Sequence, residues 1–314
     1  MSRCLVVFYH YVRDPAKTEF PDIKALTPDQ FEAQLDWLQQ RYTMVDYPTF
    51  EASLRGEWRS NRPCALLTFD DGLIDHYQAV LPALTRRGLS GVFFVVGATL
   101  DATPRVLNVH RAHFLLARLG PEGFADEVRR CLVDLPEATA CELSESSGLY
   151  RYDGFDAQDV KRLLNYELPA ATADALLSDL FCRHIGDEAA FAQELYLTPD
   201  LVAEMASEGM TFGFHTERHV PLSRLSRPLQ WAEVQRGVAA ITGLTGQRST
   251  PFCYPYGHAQ TYDRDSVAVV EKAGYSTAFT AVREMVRFEE SSRYELPRID
   301  TRDLPPVAQE RNVA

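Results

Sequence analysis

With 314 residues, 46% hydrophobic and 24% charged, the chain has ordinary globular composition and enough length to bury a large core. A formal net charge of −12, with no long basic cluster, argues against nucleic acid or an anionic membrane surface as the main partner. No apolar run approaches the roughly 20 residues of a membrane span, and the 6 cysteines contain no C-x-x-C pair, so neither a disulfide framework nor a structural zinc site is indicated.

The first apolar run is too short for a secretory leader and no small-residue cleavage site follows it, which makes a cytoplasmic location the expectation. Residues 4–9 read instead as a strand that ends on His10. Thr27, Pro28 and Gln30 then open a helix as N-cap, first helical residue and capping-box partner, and Phe31, Leu35 and Leu38 follow at helical spacing. A short strand at 43–45 and a helix at 50–54 lead to the run Cys-Ala-Leu-Leu-Thr-Phe. That run reads as a buried strand, cut off by Asp70, Asp71 and Gly72.

A helix at 77–87, with Val80, Leu81 and Leu84 on one face and Gly88 as its stop, precedes a second buried strand at 91–96. That order is a βαβ unit with parallel strands. From about residue 103 to 196 the strand signal fades. Leu, Ala and charged residues recur with helical period, interrupted by Glu145-Ser146-Ser147-Gly148 and by Asp153-Gly154. This reads as a helical insertion within a single domain spanning 1–314: a lid, a homodimer surface or a plain annex. The α/β rhythm then resumes with a helix at 198–208, a strand at 211–214 ending on His215, and a helix at 230–241. A strand at 251–254 ends in Pro255-Tyr256-Gly257, and a helix at 263–272 and a strand at 276–279 follow. Strands that repeatedly end on Asp, His or Pro-Tyr-Gly imply an α/β barrel with one functional rim.

Two adjacent carboxylates at a buried strand end are costly unless a cation or a shared proton relieves them. The plain alternative is a surface turn, since Asp-Gly is a common turn dipeptide. His215 and His219 lie four apart, so one helical turn would bring both imidazoles to one face, a spacing used for metal ligation. The alternative is two surface histidines at a helix start. Joined to one strand-end carboxylate, two neutral imidazoles leave an open position on a divalent ion, as hydrolytic zinc sites require. His110 and His113 have no evident partner acid and read as packing or substrate contacts.

Thr68-Phe69-Asp70-Asp71-Gly72, then His215-Thr216-Glu217-Arg218-His219, then Tyr254-Pro255-Tyr256-Gly257, resembles the polysaccharide deacetylases, the family 4 carbohydrate esterases with the NodB-homology domain. The resemblance implies a deformed, seven-stranded type of β/α barrel that removes N-acetyl groups from amino sugars with the help of one divalent metal. Zinc is the first choice, and cobalt, nickel or iron also suit the donor set. It makes Asp70 the general base and Asp71, His215 and His219 the metal ligands. Tyr256 would offer its backbone N–H to an oxyanion hole, and Pro255, Tyr254 and His76 would contact substrate. For His76 a helix-start role reads equally well, and Pro-Tyr-Gly could be a turn with a packed ring.

The chain departs from the family pattern twice. Where the family has an arginine two positions before the motif proline, this sequence has Cys253, so another group must orient the base; Arg298 is the candidate, against an ordinary surface arginine. The late Leu-x-His that supplies the general acid has no counterpart, since no histidine follows His258. His10, at the end of the first strand, is the candidate general acid, as in the circularly permuted subclass, because first and last strands of a closed barrel are neighbours. The alternative is a core histidine. An N-acetylated sugar or glycan is the expected partner; a hydrolase of other linear or cyclic amides on the same scaffold, or a non-catalytic carbohydrate-binding barrel, are the competing readings.

Overall fold

A computed structural model describes residues 3–133 and 160–310. The chain divides into two compact units. The first comprises Met1–Asp14, Ala25–Ala102 and Leu195–Ala314, the second Pro15–Lys24 and Thr103–Glu194.

The first unit is built on a curled mixed sheet with helices, the deformed β/α barrel expected. Strand β1 (Arg3–Tyr9) pairs in parallel with β3 (Cys64–Phe69), from Cys4 opposite Cys64 to Tyr9 opposite Phe69. Parallel strands β4 (Val92–Val95), β5 (Thr211–Phe214), β6 (Phe252–Cys253) and β7 (Ala278–Phe279) extend the sheet beyond β3. The short strand β2 (Thr43–Met44) pairs with β3, and β8 (Val286–Arg287) runs antiparallel to the start of β1. The sheet path is β7-β6-β5-β4-β3-β1-β8. What bends it toward closure is the stretch 296–300. Leu296 bridges Phe279 in parallel, and β9 (Ile299–Asp300) pairs with Val7 and Phe8 of β1.

Both faces of β3, β4, β6 and β7, and of β1 beyond Arg3 and β5 beyond Thr211, are buried, which is why the longer ones read as continuous apolar runs. Side chains alternate between faces with period two. Leu5, Val7, Tyr9, Ala65, Leu67 and Phe69 face one cluster with Phe31, Leu35 and Leu38 of the helix Pro28–Arg41. Cys4, Val6, Cys64, Leu66, Phe94, Cys253 and Phe279 form the other. Continuing that alternation past the strand ends places Thr68 and Asp70 on the same face as Leu66, and Phe8 and His10 on the same face as Val6. Because Tyr9 is level with Phe69, His10 and Asp70 leave the sheet at one edge, and the Asp70 N–H bonds the Tyr9 carbonyl at 2.9 Å.

Two helices differ from the sequence reading. The segment read as one helix at 77–87 is a π-helix, His76–Val80, followed by an α-helix, Leu81–Arg86. Pro82 has no N–H to continue the i→i−4 ladder, so the register changes ahead of it. The helix read at 230–241 is two, Arg227–Val234 and Gly237–Thr245. The Val234 carbonyl at the break is taken by the Tyr275 hydroxyl at 2.6 Å.

The second unit is helical: Asn108–Val133, kinked at Gly120-Pro121, with Ala170–His184 and Glu188–Leu195. Leu115, Phe124, Val128, Leu163, Leu177 and Leu180 form its core. Fully buried Arg111 ties it together through Asp174 at 2.7 Å and Glu188 at 2.5 Å. The stretch 15–24 belongs here because Phe20 packs edge-on against Phe114 and Phe191. The breaks read at 145–148 and 153–154 lie outside the described residues. No helix among the described residues is long and apolar enough to cross a membrane.

Candidate active site

Asp70 and Asp71 are both buried at the end of β3, yet they point to different partners. The backbone turns through a left-handed residue at Asp71, φ 76°. Among the described residues the non-glycine positions with positive φ are Asp71, Thr216, His219 and Tyr256, at 76°, 64°, 57° and 62°. Each costs about 1–3 kcal/mol and persists only where surroundings over-determine it. That all four fall in the three sequence motifs makes this edge the strained part of the fold.

Asp70 is gripped by Arg298 through two hydrogen bonds of 2.8 Å. Every N–H of that guanidinium is used: Nε bonds the Thr280 carbonyl at 2.9 Å, Nη1 also bonds Thr68 Oγ1 at 3.0 Å, and Nη2 lies 3.0 Å from Cys253 Sγ. The plane rests 4.7 Å from the Phe8 ring centre. Arg298 can reach in because it rides on the closing stretch 296–300, and Cys253 is small enough to leave it room. Burial by itself would raise the Asp70 carboxyl, but the charge and hydrogen bonds of Arg298 outweigh it and hold Asp70 below its ordinary value. Burial would likewise lower Arg298, and the Asp70 charge overcomes this, leaving it raised.

Asp71 faces the histidines. Its Oδ1 lies 3.6 Å from His215 Nε2 and 3.3 Å from His219 Nε2. The expected helical turn between them is absent. Residues 215–219 form a loop, and left-handed Thr216 and His219 bring the imidazoles together, ring centres 4.8 Å apart. His215 Nδ1 pairs with the Cys253 carbonyl at 2.7 Å, which fixes the tautomer and aims Nε2 at Asp71. Burial keeps His215 below its ordinary pKa despite the charges of Asp70 and Asp71, favouring the neutral, ligating form.

These three donors fit a divalent ion. Ligands about 2.1 Å from a tetrahedral ion stand about 3.4 Å apart, which is the observed spacing to Asp71 Oδ1. Asp70, His215 and Cys253 form a second compact group, but both Asp70 oxygens are committed to Arg298. Burial also pushes the Cys253 thiol well up, so it stays protonated and a poor ligand. The Asp71 set is therefore the one suited to a metal. His110 and His113 belong to neither group among the described residues.

His10 Nε2 stands 4.0 Å from Asp70 Oδ2 and 3.9 Å from Asp71 Oδ2, with 40% of its side chain exposed. The loop that carries it is tied to the segment following the acid pair. Asp75 accepts the Val12 N–H at 3.0 Å and pairs with Arg13 at 2.6 Å, and His76 Nε2 meets the His10 carbonyl at 3.1 Å. Tyr256 sits half-buried in its turn, ring centre 4.9 Å from His219, and Pro255 is buried beside it. A side chain at Gly257 would run into the Thr280–Ala281 backbone, so the turn needs glycine there.

Two residues read as substrate contacts lie elsewhere. His76 is fully buried between Phe69 and Phe93, each 5.6 Å away. Tyr254 follows Phe252 by two, so it faces the helix-side core; its ring stacks on Tyr262 at 4.5 Å and its hydroxyl bonds the Tyr294 carbonyl. Glu233 escaped the sequence reading altogether. It accepts the backbone N–H groups of Glu217 and Arg218 and so supports the histidine loop. The signal was available: Gln230, Glu233 and Val234 share the buried stripe of their helix, and a carboxylate on such a stripe has a task.

The sequence profile of a family described as polysaccharide deacetylase matches residues 58–130 and 180–278, more than half of the chain. The chain belongs to the polysaccharide deacetylase family. The matched residues contain Asp70, Asp71, His215, His219 and Tyr256, whereas His10 and Arg298 lie outside them. YxkH of Bacillus subtilis (strain 168) is 26% identical over 96 residues, 30% of this chain and 32% of that protein, so the chain matches about a third of that relative's length. Among solved structures, the Streptococcus pyogenes deacetylase PplD in complex with acetate superposes with a TM-score of 0.59 at 15% identity, covering 98% of this chain and 97% of that one. IcaB from Ammonifex degensii gives 0.59 at 16% identity, covering 99% and 96%. A de-N-acetylase from Aggregatibacter actinomycetemcomitans gives 0.59 at 16%, covering 98% and 99%. At such identities these likenesses speak for the polysaccharide deacetylase fold.

Proposed function

We propose that this chain is a metal-dependent hydrolase that removes the N-acetyl group from an amino sugar of a glycan or glycan precursor, releasing acetate. The observation that carries this reading is the division of labour in the acid pair: Asp71 Oδ1 lies within 3.6 Å of two imidazole nitrogens while Asp70 is held apart by Arg298. Family membership and the names of the three superposed proteins agree with it. Asp71, His215 and His219 would hold the ion, zinc by donor set. When bound it supplies Lewis acidity toward the acetamide and lowers the pKa of water at the site.

The remaining work falls to the chain. Asp70, kept ionised by Arg298, accepts a proton from the water that adds to the acetamide carbon. The Tyr256 N–H donates to the developing oxyanion. His10, facing both carboxylates from the end of the neighbouring strand, delivers a proton to the departing nitrogen. The C–N bond then breaks to give acetate and the free amine. Acetate release from N-acetylglucosamine oligomers, assayed with and without a chelator, tests the reading: chelator-sensitive release is expected, and no release from any N-acetylated sugar sinks it.

A further inference from the structure

We infer that Glu233 is a positioning residue for the metal, setting the backbone from which His219 reaches Asp71; this deepens the metal reading above and rests on it. The loop 215–219 departs from ordinary backbone twice, at Thr216 and at His219, and across it the two imidazoles converge, ring centres 4.8 Å apart. Such a backbone must be held by its surroundings. Its carbonyls are held from the end of β4: the Gly97 N–H bonds the Thr216 carbonyl at 3.0 Å and the Ala98 N–H bonds the Glu217 carbonyl at 2.8 Å. Thr216 Oγ1 takes the His219 N–H at 2.9 Å.

The two amides between the left-handed residues, of Glu217 and Arg218, converge on Glu233 Oε2 at 3.1 and 2.9 Å. Glu233 itself is 1% exposed, on the buried stripe of the helix Arg227–Val234, and its Oε1 is capped by Arg218 Nε at 2.6 Å. All its hydrogen bonds among the described residues go to this loop. A carboxylate carried this far inside, with both oxygens spent on one ligand loop, orients a ligand indirectly, and groups of that kind hold metal affinity up by about 10–100-fold. Arg218, 60% exposed, serves the charge of Glu233 and not the loop geometry.

The test is cobalt(II) affinity, by competition with a chromophoric chelator, together with the visible spectrum of the bound ion. Glu233→Ala should bind about 10–100-fold more weakly with an altered spectrum, while Glu233→Gln, which keeps an acceptor oxygen for both amides, should stay within about threefold. Arg218→Ala should match wild type. If Glu233→Ala does not fold, Glu233→Asp decides, because it keeps the charge but withdraws the oxygen from both amides and should be weakened where Glu233→Gln is not. Equal affinity of Glu233→Ala, or Glu233→Asp, and wild type overturns the proposal alone. Wild-type protein that takes up no cobalt(II), or an Asp71→Ala variant that binds it equally well, overturns the metal reading beneath it.

Discussion

Asp70 and Asp71 are chemically identical neighbours, and what separates them is a guanidinium on one side and two imidazoles on the other. A buried ion pair is a weak source of net stability, but breaking one leaves an unpaired buried charge. Arg298→Met should therefore destabilise the fold by about 3–5 kcal/mol and move the acid limb of kcat/KM to higher pH, because Asp70 loses the partner that depresses its carboxyl. The sign is fixed by linkage. A depressed folded pKa contributes stability above the unfolded carboxyl value, lost as pH falls through the folded one; in the variant burial is opposed only by His215 and His10 and that contribution shrinks. Denaturant titrations at several pH values and a pH–rate profile check both, and an unmoved acid limb would remove Arg298 from this role. Asp70→Asn should cut turnover by about 10²–10⁴-fold with metal retained, whereas His215→Ala should lose both, as metal analysis beside the assay would show. Asp70, Asp71, His215 and His219 were legible because their motifs are local. The site of Arg298 was legible only as a gap, the cysteine at 253 where the family pattern has arginine.

At the scale of elements, period-two alternation settles much of what motifs leave open. It turns Cys253 toward the acid pair and Tyr254 away from it, so proximity in sequence misled at Tyr254. Spacing misled at 215–219 as well, since a four-residue interval says nothing about a loop with two left-handed residues. His76 shows how a buried polar residue can look like a ligand contact. Burial holds its imidazole down at about 4, against some pull from Asp75 and the His10 carbonyl. Its folded pKa lies below the unfolded value, so the unfolded chain binds more protons between about pH 4 and 6.5 and stability falls as pH drops through that window. The full effect is up to about 3 kcal/mol. His76→Phe keeps a ring between Phe69 and Phe93 and should flatten this slope, at a cost of about 1 kcal/mol for the lost bond to His10. Chemical denaturation at pH 7 and pH 4.5 decides; parallel pH dependence in both proteins would mean the slope arises elsewhere.

For the molecule as a whole, the alternation of strands and helices was legible, down to β6 and β7, whereas β8 and β9 were not, because two-residue strands carry no usable period of their own. The second unit was legible as a change of period from two to 3.6, but the stretch 15–24 that joins it through Phe20 was not. Within that unit Arg111 binds the start of Asn108–Val133 to Asp174 and Glu188. Arg111→Met should lower its stability by about 3–5 kcal/mol, seen as faster proteolysis within Thr103–Glu194; unchanged cleavage there would show that the pair contributes little. The stretch 296–300 has a consequence in time. Its Arg298 stands 228 residues from Asp70, and His10 stands near the opposite end of the chain. During vectorial synthesis the acid pair waits, without its counter-charge, while the 228 positions from Asp70 to Arg298 are made. Such distant closures are among the slowest to form. Asp70 thus gains its counter-charge only after Arg298 has been made and the stretch 296–300 has paired with β1.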